Sequence, residues 1–209
     1  VIPQIPLVKY NEKMLFDGSN DIVATSENSP ISGSNSFTMS AWIIPFVDVP
    51  DTSNDYMTFI KQGSSSTNQM ACFSILRVSN VNYLGFLVHG NDMYSNHVVP
   101  NNTWSHVVIT YSSGTYASGL KIYFNGMVNS SLTARYADVG GTTNATPNIA
   151  SSVIEIGKSQ DSNSAYWNGI VDELSYFNTA LSSTEVQELF NDGVALDATT
   201  HSQSANLIG

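Results

Sequence analysis

The chain has 209 residues, with 7 basic and 17 acidic side chains, so its formal net charge at neutral pH is −10. The Lys and Arg residues are scattered singly, and a chain without a basic patch is a poor partner for nucleic acid or an anionic membrane surface. No apolar run reaches the roughly 18 residues of a membrane span. We therefore expect neither nucleic-acid binding nor membrane insertion.

The composition indicates a globular domain with an uncharged polar surface. Hydrophobic residues make up 42% of the chain but charged residues only 11%, well below the roughly 25% that is usual. Ser, Asn, Thr and Gly supply the polarity, which is typical of extracellular β-modules. This length is compatible with one all-β domain. We predict an N-terminal extension over 1–13, a sandwich over 14–193 and a tail over 194–209.

The first strong strand signal is the segment "SFTMSAWIIP", in which Phe37, Met39, Ala41 and Ile43 fall on one side. Such alternation predicts a half-buried strand. Similar short segments follow, namely "ACFSILRV", "YLGFLVHG", "WSHVVITYSSG", "LKIYFNGMVNSS" and "SVIEIGKS". Within the fourth of these, the dipeptide Asn125-Gly126 predicts a tight hairpin. Regularly spaced strands with turn clusters between them predict an antiparallel sandwich or barrel.

The segment "WNGIVDELSYF" raises a question about Asp172. Ile170, Asp172, Leu174 and Tyr176 alternate along one face of a predicted strand, and burial of an unpaired carboxylate among apolar residues would be costly. A catalytic acid, a metal ligand and a structural anion held by backbone donors are the three interpretations.

One short helix is predicted near the C-terminus. Ser182 and Glu185 match a capping box, Val186 and Leu189 lie on one helical stripe, and Gly193 supplies a left-handed stop. We expect this helix to cover one end or edge of the sandwich. The single cysteine, Cys72, excludes an internal disulfide and lies in an apolar run, so we predict that it is buried.

The ordered motifs of the chain resemble those of the laminin-G-like, concanavalin-A-like jelly-roll family. They are "LFDGSNDIVAT", "FTMSAWI", "NTWSHVVITY", "LKIYFNGMV", "IEIG" and "WNGIVDELSYFNTALSSTEVQELFNDG". The resemblance covers about residues 14–193 and implies two antiparallel sheets packed face to face. The tail is also similar to segments that follow this module in bacteriophage and other viral surface proteins. By the same resemblance, Trp42, Trp104 and Trp167 are expected to pack in the core, and His106 to be a framework residue.

The resemblance further implies a structural calcium ion between the opening strand and the closing strand. Asp17 and Asp172 match the positions of its ligands, and carboxylate oxygens suit this hard cation. Such an ion would stabilise the fold and would not take part in catalysis.

The residues do not predict an enzyme. Glycosidases need two carboxylates flanking the scissile bond, and no pair at the required spacing on one strand is present. No nucleophile elbow occurs, and the four histidines lack metal-ligand spacing. A glycoside hydrolase is therefore the least favoured function.

Binding is the favoured function, since laminin-G-like folds often bind glycans or proteins through rim loops or a concave sheet face. Sugar recognition needs aromatic platforms beside polar side chains, and three predicted loops combine them. The candidate residues are Asp55, Tyr56, Asp92, Tyr94, Asn96 and Tyr166. We predict a non-catalytic module, extracellular or on a virion surface, that binds a glycan or cell-surface receptor. The alternative is a structural module that contacts neighbouring virion subunits and binds no glycan.

Overall fold

The computed structural model describes residues 13–49, 56–129, 131–135, 141–158 and 166–208. Within these residues the chain forms thirteen β-strands and two α-helices. The strands are β1 Met14–Asp17, β2 Val23–Ala24, β3 Phe37–Pro45, β4 Tyr56–Gly63, β5 Met70–Val78, β6 Val81–Leu87, β7 Met93–Val98, β8 Ser105–Tyr111, β9 Leu120–Phe124, β10 Met127–Asn129, β11 Thr133–Ala134, β12 Glu155–Ile156 and β13 Asn168–Phe177. The helices are α1 Tyr116–Gly119 and α2 Ser183–Phe190. The sequence predicted α2 but not the single turn of α1.

The strands form two antiparallel sheets packed face to face, which confirms the predicted sandwich. One sheet has six strands in the order β1-β13-β3-β8-β9-β10, and the other has seven in the order β11-β7-β6-β5-β4-β12-β2. The alternation read in β3 is confirmed, because Phe37, Met39, Ala41 and Ile43 all belong to the core between the sheets. The strand is not half-buried as predicted, since Thr38 and Ser40 on its other face are buried as well. The predicted hairpin at Asn125-Gly126 joins β9 to β10.

Two buried contacts tie the sheets together. Trp167 is fully buried in the core, where its ring lies 5.3 Å from that of Phe59, centroid to centroid. The hydroxyl of Tyr176 in the six-stranded sheet donates to Oε1 of Gln62 in the seven-stranded sheet at 2.8 Å. Because both polar groups are buried, this hydrogen bond also fixes how the two sheets are aligned.

Helix α2 begins as the sequence predicts. The Ser182 side chain accepts from the Glu185 N–H at 3.3 Å, and the Glu185 carboxylate accepts from the Ser182 N–H at 2.6 Å. Its end differs from the prediction, because Asn191 (φ 46°, ψ 49°) supplies the first left-handed residue and Gly193 follows two positions later. Asparagine tolerates this conformation better than most residues, so the helix stops before the glycine.

The position predicted for α2, at one end or edge of the sandwich, is wrong. The helix lies on the outer face of the six-stranded sheet, where Val186 and Leu189 pack in a second apolar cluster with Val108, Tyr123 and Phe177. These three sheet residues alternate with core residues along their strands, so they point away from the core. The six-stranded sheet is therefore buried on both sides over this region.

The segment after the helix also packs on the sandwich. Ile208 N–H donates to the carbonyl of Tyr176 at 2.8 Å, and Asn178 N–H donates to that of Asn206 at 2.9 Å. Leu207 adds to the cluster beneath α2. Residues on both sides of the predicted boundary at 193/194 therefore pack on the same sheet.

The cysteine and the other two tryptophans lie outside the main core, on the outer faces of the two sheets. Cys72 is buried, as predicted. Trp42 is also buried, but it lies outside the main core on the outer face of the six-stranded sheet, 6.0 Å from the ring of Phe190. Trp104 is half-buried and meets Trp42 edge to face at 6.5 Å. The prediction of core packing thus holds for Trp167, whereas the other two form part of the layer beside α2.

Candidate functional site

Three of the predicted binding residues lie in strands and not in loops, whereas Asp92 lies in the turn before β7. Tyr56 begins β4, and Tyr94 and Asn96 lie within β7, so these three loop assignments were wrong. The high content of polar residues around these strands led to that error. Asp55 falls outside the described residues.

Tyr56 and Tyr94 instead share the outer face of the seven-stranded sheet. Met57, Phe73, Ile75, Leu84, Phe86 and Met93 belong to the core. Because side chains alternate along a strand, their neighbours Tyr56, Ser74, Leu76, Tyr83, Gly85 and Tyr94 point outward. We call this surface the tyrosine face, and define it as Tyr56, Thr58, Ser74, Leu76, Tyr83, Gly85, Tyr94, Thr133 and Arg135.

The strand register orders the tyrosine face into two rows. In the first row, Leu76 pairs with Tyr56 on one side and with Tyr83 on the other. In the second row, Gly85 pairs with Ser74 and with Tyr94. The rings of Tyr83 and Tyr94 come together diagonally, with 5.4 Å between their centroids and an angle of 38° between their planes. They form a tilted pair of half-buried aromatic surfaces.

Gly85 leaves room for the Leu76 side chain in the middle of the tyrosine face. A Cβ atom at this position would lie 2.0 Å from Cδ1 of Leu76 and 3.0 Å from the carbonyl oxygen of Met93. The Leu76 side chain therefore lies flat over the glycine between the two rows. A larger residue at position 85 would push this side chain outward beside Tyr83 and Tyr94.

Polar groups border the tyrosines. The hydroxyls of Thr58 and Ser74 are 2.8 Å apart and buried, and Thr133 pairs with Tyr94 on the edge strand β11. Further along the same face, the buried ammonium of Lys61 forms an ion pair with the carboxylate of Glu155. The Glu155 carboxylate is therefore held by a charge partner.

The other predicted binding residues have local roles. Asp92 Oδ1 accepts from the Val88 N–H at 3.1 Å, and burial raises the pKa of its carboxyl. Asn96 is exposed and its side-chain oxygen accepts from the Asn129 amide. The Tyr166 ring is covered by the Lys158 ammonium, 4.9 Å from the ring centroid. Asp92 and Asn96 lie two residues before and after Tyr94 and therefore border the tyrosine face, whereas Tyr166 is not part of it.

The two predicted calcium ligands do not lie together. Asp17 pairs with Asn168, four residues before Asp172 along β13, which corresponds to about 13 Å along the strand. Calcium binds oxygens at about 2.3–2.6 Å, so one ion does not reach both carboxylates in this arrangement. Asp17 instead closes a turn, in which its Oδ1 accepts from the Ser19 N–H at 2.8 Å. Calcium binding by either residue with other ligands stays a prediction.

A β-bulge explains the position of Asp172. Asp172 pairs with Trp42 and Ser175 pairs with Ser40, so three steps along β13 match two steps along β3. The extra residue brings Glu173 into a left-handed conformation with φ 46°. The prediction that Asp172 and Tyr176 share one face is therefore wrong. Tyr176 points into the core, whereas Asp172 lies beside Trp42 on the outer face of the six-stranded sheet.

Asp172 is only 6% exposed, and its hydrogen bonding is incomplete. Its Oδ1 accepts from the Glu173 N–H at 3.0 Å, while Oδ2 has no hydrogen-bond partner among the described residues. Burial raises the pKa of the Asp172 carboxyl, against the opposing influences of this hydrogen bond and of Lys13. Burial and the neighbouring Asp172 also raise the pKa of Glu173. The ionised aspartate is thus a destabilising group in the folded state.

We expect the Asp172→Asn variant to gain stability relative to the wild type as the pH rises from about 3 to 7. A carboxyl whose pKa is higher in the folded state holds its proton more tightly there, so its ionisation at higher pH weakens folding. Urea unfolding at several pH values would measure the difference.

A bound cation would reverse this result. If Asp172→Asn lost stability relative to the wild type at neutral pH, and if EGTA abolished that difference, calcium at Asp172 would be supported. Among the described residues, no group of three or more His, Cys, Asp or Glu side chains is placed to hold a metal ion.

His106 has the framework role that was predicted. Its Nε2 lies 3.0 Å from Oγ of Ser40, and the ring packs against Trp42 at 5.2 Å and Phe190 at 5.9 Å. Complete burial lowers the pKa of His106 to about 3. The imidazole is therefore neutral at physiological pH.

Sequence reasoning missed Tyr83, Gly85 and Arg135. The alternation in "YLGF" does contain the signal for the first two, because Leu84 and Phe86 are the apolar pair and Tyr83 and Gly85 must face the other way. Nothing in the local sequence indicates that Arg135 reaches Tyr56.

In the part of the chain that is described, no helix has the length and apolar character needed to span a membrane.

Comparisons with known proteins agree with this architecture. The family model for the concanavalin A-like lectin/glucanases superfamily matches residues 17–187. No curated protein sequence matches the chain.

Three solved structures share the fold at low sequence identity. The heptameric SAP-like pentraxin of Limulus polyphemus is 18% identical, with a TM-score of 0.61 over 85% of this chain and 81% of the pentraxin. A proposed carbohydrate binding protein of Bacteroides ovatus is 17% identical, with a TM-score of 0.58 over 94% of this chain and 50% of that one. The enzymatically active domain of tailspike protein 2 from bacteriophage CBA120 is 13% identical, with a TM-score of 0.58 over 88% of this chain and 28% of the tailspike chain. The chain therefore spans half or less of the last two proteins.

The family match covers most of the chain, and the two face-to-face antiparallel sheets agree with it. The protein belongs to the concanavalin A-like lectin/glucanases superfamily, in its laminin-G-like branch.

Proposed function

We propose that this protein is a non-catalytic glycan-recognition module that acts outside a cell or on a virion surface. The observation that carries the proposal is the Tyr83–Tyr94 pair on the outer face of the seven-stranded sheet, with Tyr56 across the sheet. Aromatic rings offer the apolar surface on which the C–H faces of a pyranose pack. The hydroxyl of Thr133, which is exposed on the edge strand, is a donor and an acceptor for sugar hydroxyls.

The solved structures support the ligand class and the location without establishing either. The Bacteroides ovatus relative is described as a carbohydrate binding protein, and the bacteriophage relative is a tailspike. Both resemblances are at fold level. They make a glycan the first ligand to test and a virion or extracellular surface the first context.

A glycoside hydrolase is the less favoured alternative. It would need two carboxylates about 5–10 Å apart, on either side of the scissile bond. On the outer face of the seven-stranded sheet, Glu155 is paired with Lys61, and Asp92 is used in a turn. Both carboxylates already have partners within the protein, so a structural role suits them better than proton transfer to a substrate.

A structural module is the second candidate, and one surface favours it. Leu15 is 65% exposed and pairs with Ile170, which in turn pairs with Ile44. These three side chains form an apolar row at the β1 edge of the six-stranded sheet. A module that binds no glycan but self-associates through this row would fit assembly with neighbouring virion subunits.

Replacing Tyr94 with alanine is expected to weaken glycan binding at least about 10-fold. Truncation of a central aromatic contact commonly costs about 2 kcal/mol or more, and 1.4 kcal/mol corresponds to tenfold in affinity. A glycan array would identify a ligand for the wild type, and isothermal titration calorimetry would measure its affinity for each variant.

Two variants serve as controls for Tyr94→Ala. Tyr94→Phe keeps the ring and should retain most of the affinity, whereas Tyr166→Ala changes a tyrosine outside the tyrosine face and should have no effect. Equal binding by Tyr94→Ala and the wild type would exclude the tyrosine face as the site. Absence of binding to every glycan, together with self-association, would favour the structural module.

A further inference from the structure

Arg135 reaches across the tyrosine face. Its guanidinium carbon lies 5.9 Å from the centroid of the Tyr56 ring. Arg135 follows the edge strand β11, whereas Tyr56 belongs to β4, four strands away in the sheet. Four strand spacings amount to about 19 Å, which side chains perpendicular to a flat sheet do not bridge. The contact therefore indicates that the sheet curves toward this side and that the tyrosine face is concave.

Backbone hydrogen bonds hold the main chain of Arg135 close to Tyr94. Arg135 N–H donates to the carbonyl of Asp92 at 2.8 Å, and two residues earlier Thr133 pairs with Tyr94. The side chain therefore starts next to Tyr94, and its guanidinium ends at Tyr56 on the far side of the face. Arg135 has further contacts of its own, so a ligand must compete with them.

Arg135 places a positive charge on the tyrosine face of a strongly acidic protein. Burial raises the pKa of the neighbouring Asp92 carboxyl and the charge of Arg135 opposes this rise, so a ligand carboxylate would compete with Asp92 for the guanidinium. The chain has a net charge of −10 and only seven Lys and Arg residues. On this sheet, the Lys61 ammonium is buried and paired with Glu155. The guanidinium of Arg135 is half-buried and lies over the concave surface. A planar guanidinium offers paired donors that match the two oxygens of a carboxylate.

We propose that the tyrosine face prefers glycans that carry a carboxylate, such as a hexuronic or sialic acid residue. The sugar ring packs on Tyr83 and Tyr94, and its carboxylate accepts hydrogen bonds from Arg135. This inference rests on the proposed glycan-binding function and adds to it the chemical class of the sugar. It also assigns Arg135 as the residue that distinguishes acidic from neutral sugars.

The test compares matched acidic and neutral ligands by isothermal titration calorimetry. One arm uses tri-galacturonate and its carboxyl-reduced form, and the other uses sialyllactose and lactose. The wild type is expected to bind at least one acidic ligand about 10-fold or more tightly than its neutral partner. The arm in which the preference is seen shows whether the recognised carboxylate belongs to a hexuronic acid or to a sialic acid.

Variants of Arg135 assign the preference to this residue. Arg135→Gln should bring the affinities for the acidic and the neutral ligand of the preferred pair to within about twofold of each other, whereas Arg135→Lys should retain part of the preference. Lys121→Gln removes one positive charge from the exposed surface of the other sheet and should have no effect. Near-ultraviolet circular dichroism would verify that each variant keeps its fold.

Three outcomes would overturn the inference. If the wild type binds both members of each pair equally, the proposed function stands and the preference for carboxylates fails. If the preference persists in Arg135→Gln, the carboxylate is recognised elsewhere. If the wild type binds neither member of either pair nor any glycan on an array, the proposed function fails together with this inference.

Discussion

Replacing Trp167 with alanine is expected to lower the free energy of unfolding by about 3–5 kcal/mol, the usual cost of truncating a large buried aromatic residue. Trp167 is fully buried and packs against Phe59 of the opposite sheet. Its removal would leave a cavity between the sheets that rigid neighbouring strands do not close. Urea unfolding monitored by circular dichroism would measure the change.

Trp104→Ala is the matched control, because it removes the same side chain from a half-buried position outside the core. We expect a clearly smaller loss of stability for this variant. A similar loss for both variants would show that the core does not depend on Trp167 in the way that the packing indicates. For the single domain proposed, the unfolding transitions should remain cooperative.

A large loss of stability is also expected when the ion pair between Lys61 and Glu155 is broken. Lys61 is 3% exposed and Glu155 is 29% exposed. Glu155→Gln would leave the Lys61 ammonium buried without its charge partner, and removing one partner of a buried pair commonly costs about 3–5 kcal/mol. Because Glu155 is partly exposed, we expect a loss near the lower end, about 3 kcal/mol, in urea unfolding at neutral pH.

A double variant separates the charge effect from packing. Lys61→Met combined with Glu155→Leu removes both charges and keeps apolar bulk, so we expect it to recover most of the stability lost by Glu155→Gln. Lys121→Met, at an exposed position of the other sheet, should change stability by no more than about 0.5 kcal/mol. A double variant as unstable as Glu155→Gln would argue that the pair contributes through geometry rather than through charge compensation.

The fold was largely predictable because its signals are local. Alternation in β3 and the capping box at Ser182 each depend on a few neighbouring residues, and the structure confirms both. The hairpin at Asn125-Gly126 is confirmed for the same reason. The errors arise where strand pairing overrides the local pattern. The bulge after Asp172 shifts the alternation by one residue, and only the register against β3 reveals it.

The candidate site was only partly predictable. Tyr56 and Tyr94 were identified from their aromatic character and polar neighbours, but their positions in strands rather than loops depend on sheet pairing. The contact between Arg135 and Tyr56 joins residues about 80 positions apart in the chain. Spacing along the sequence carries no information about such a contact. The predicted calcium ligands illustrate the same limit, since only the strand register shows that Asp17 and Asp172 lie apart.

The placement of α2 has a consequence for how the module can be used. The helix and the segment that follows it cover the six-stranded sheet, while the tyrosine face belongs to the other sheet. Two packed sheets are about 10 Å apart, so a sugar on one side and a protein neighbour on the other would be separated by the whole thickness of the sandwich. If the proposed glycan binding holds, the protein could therefore bind a sugar and a protein neighbour at the same time.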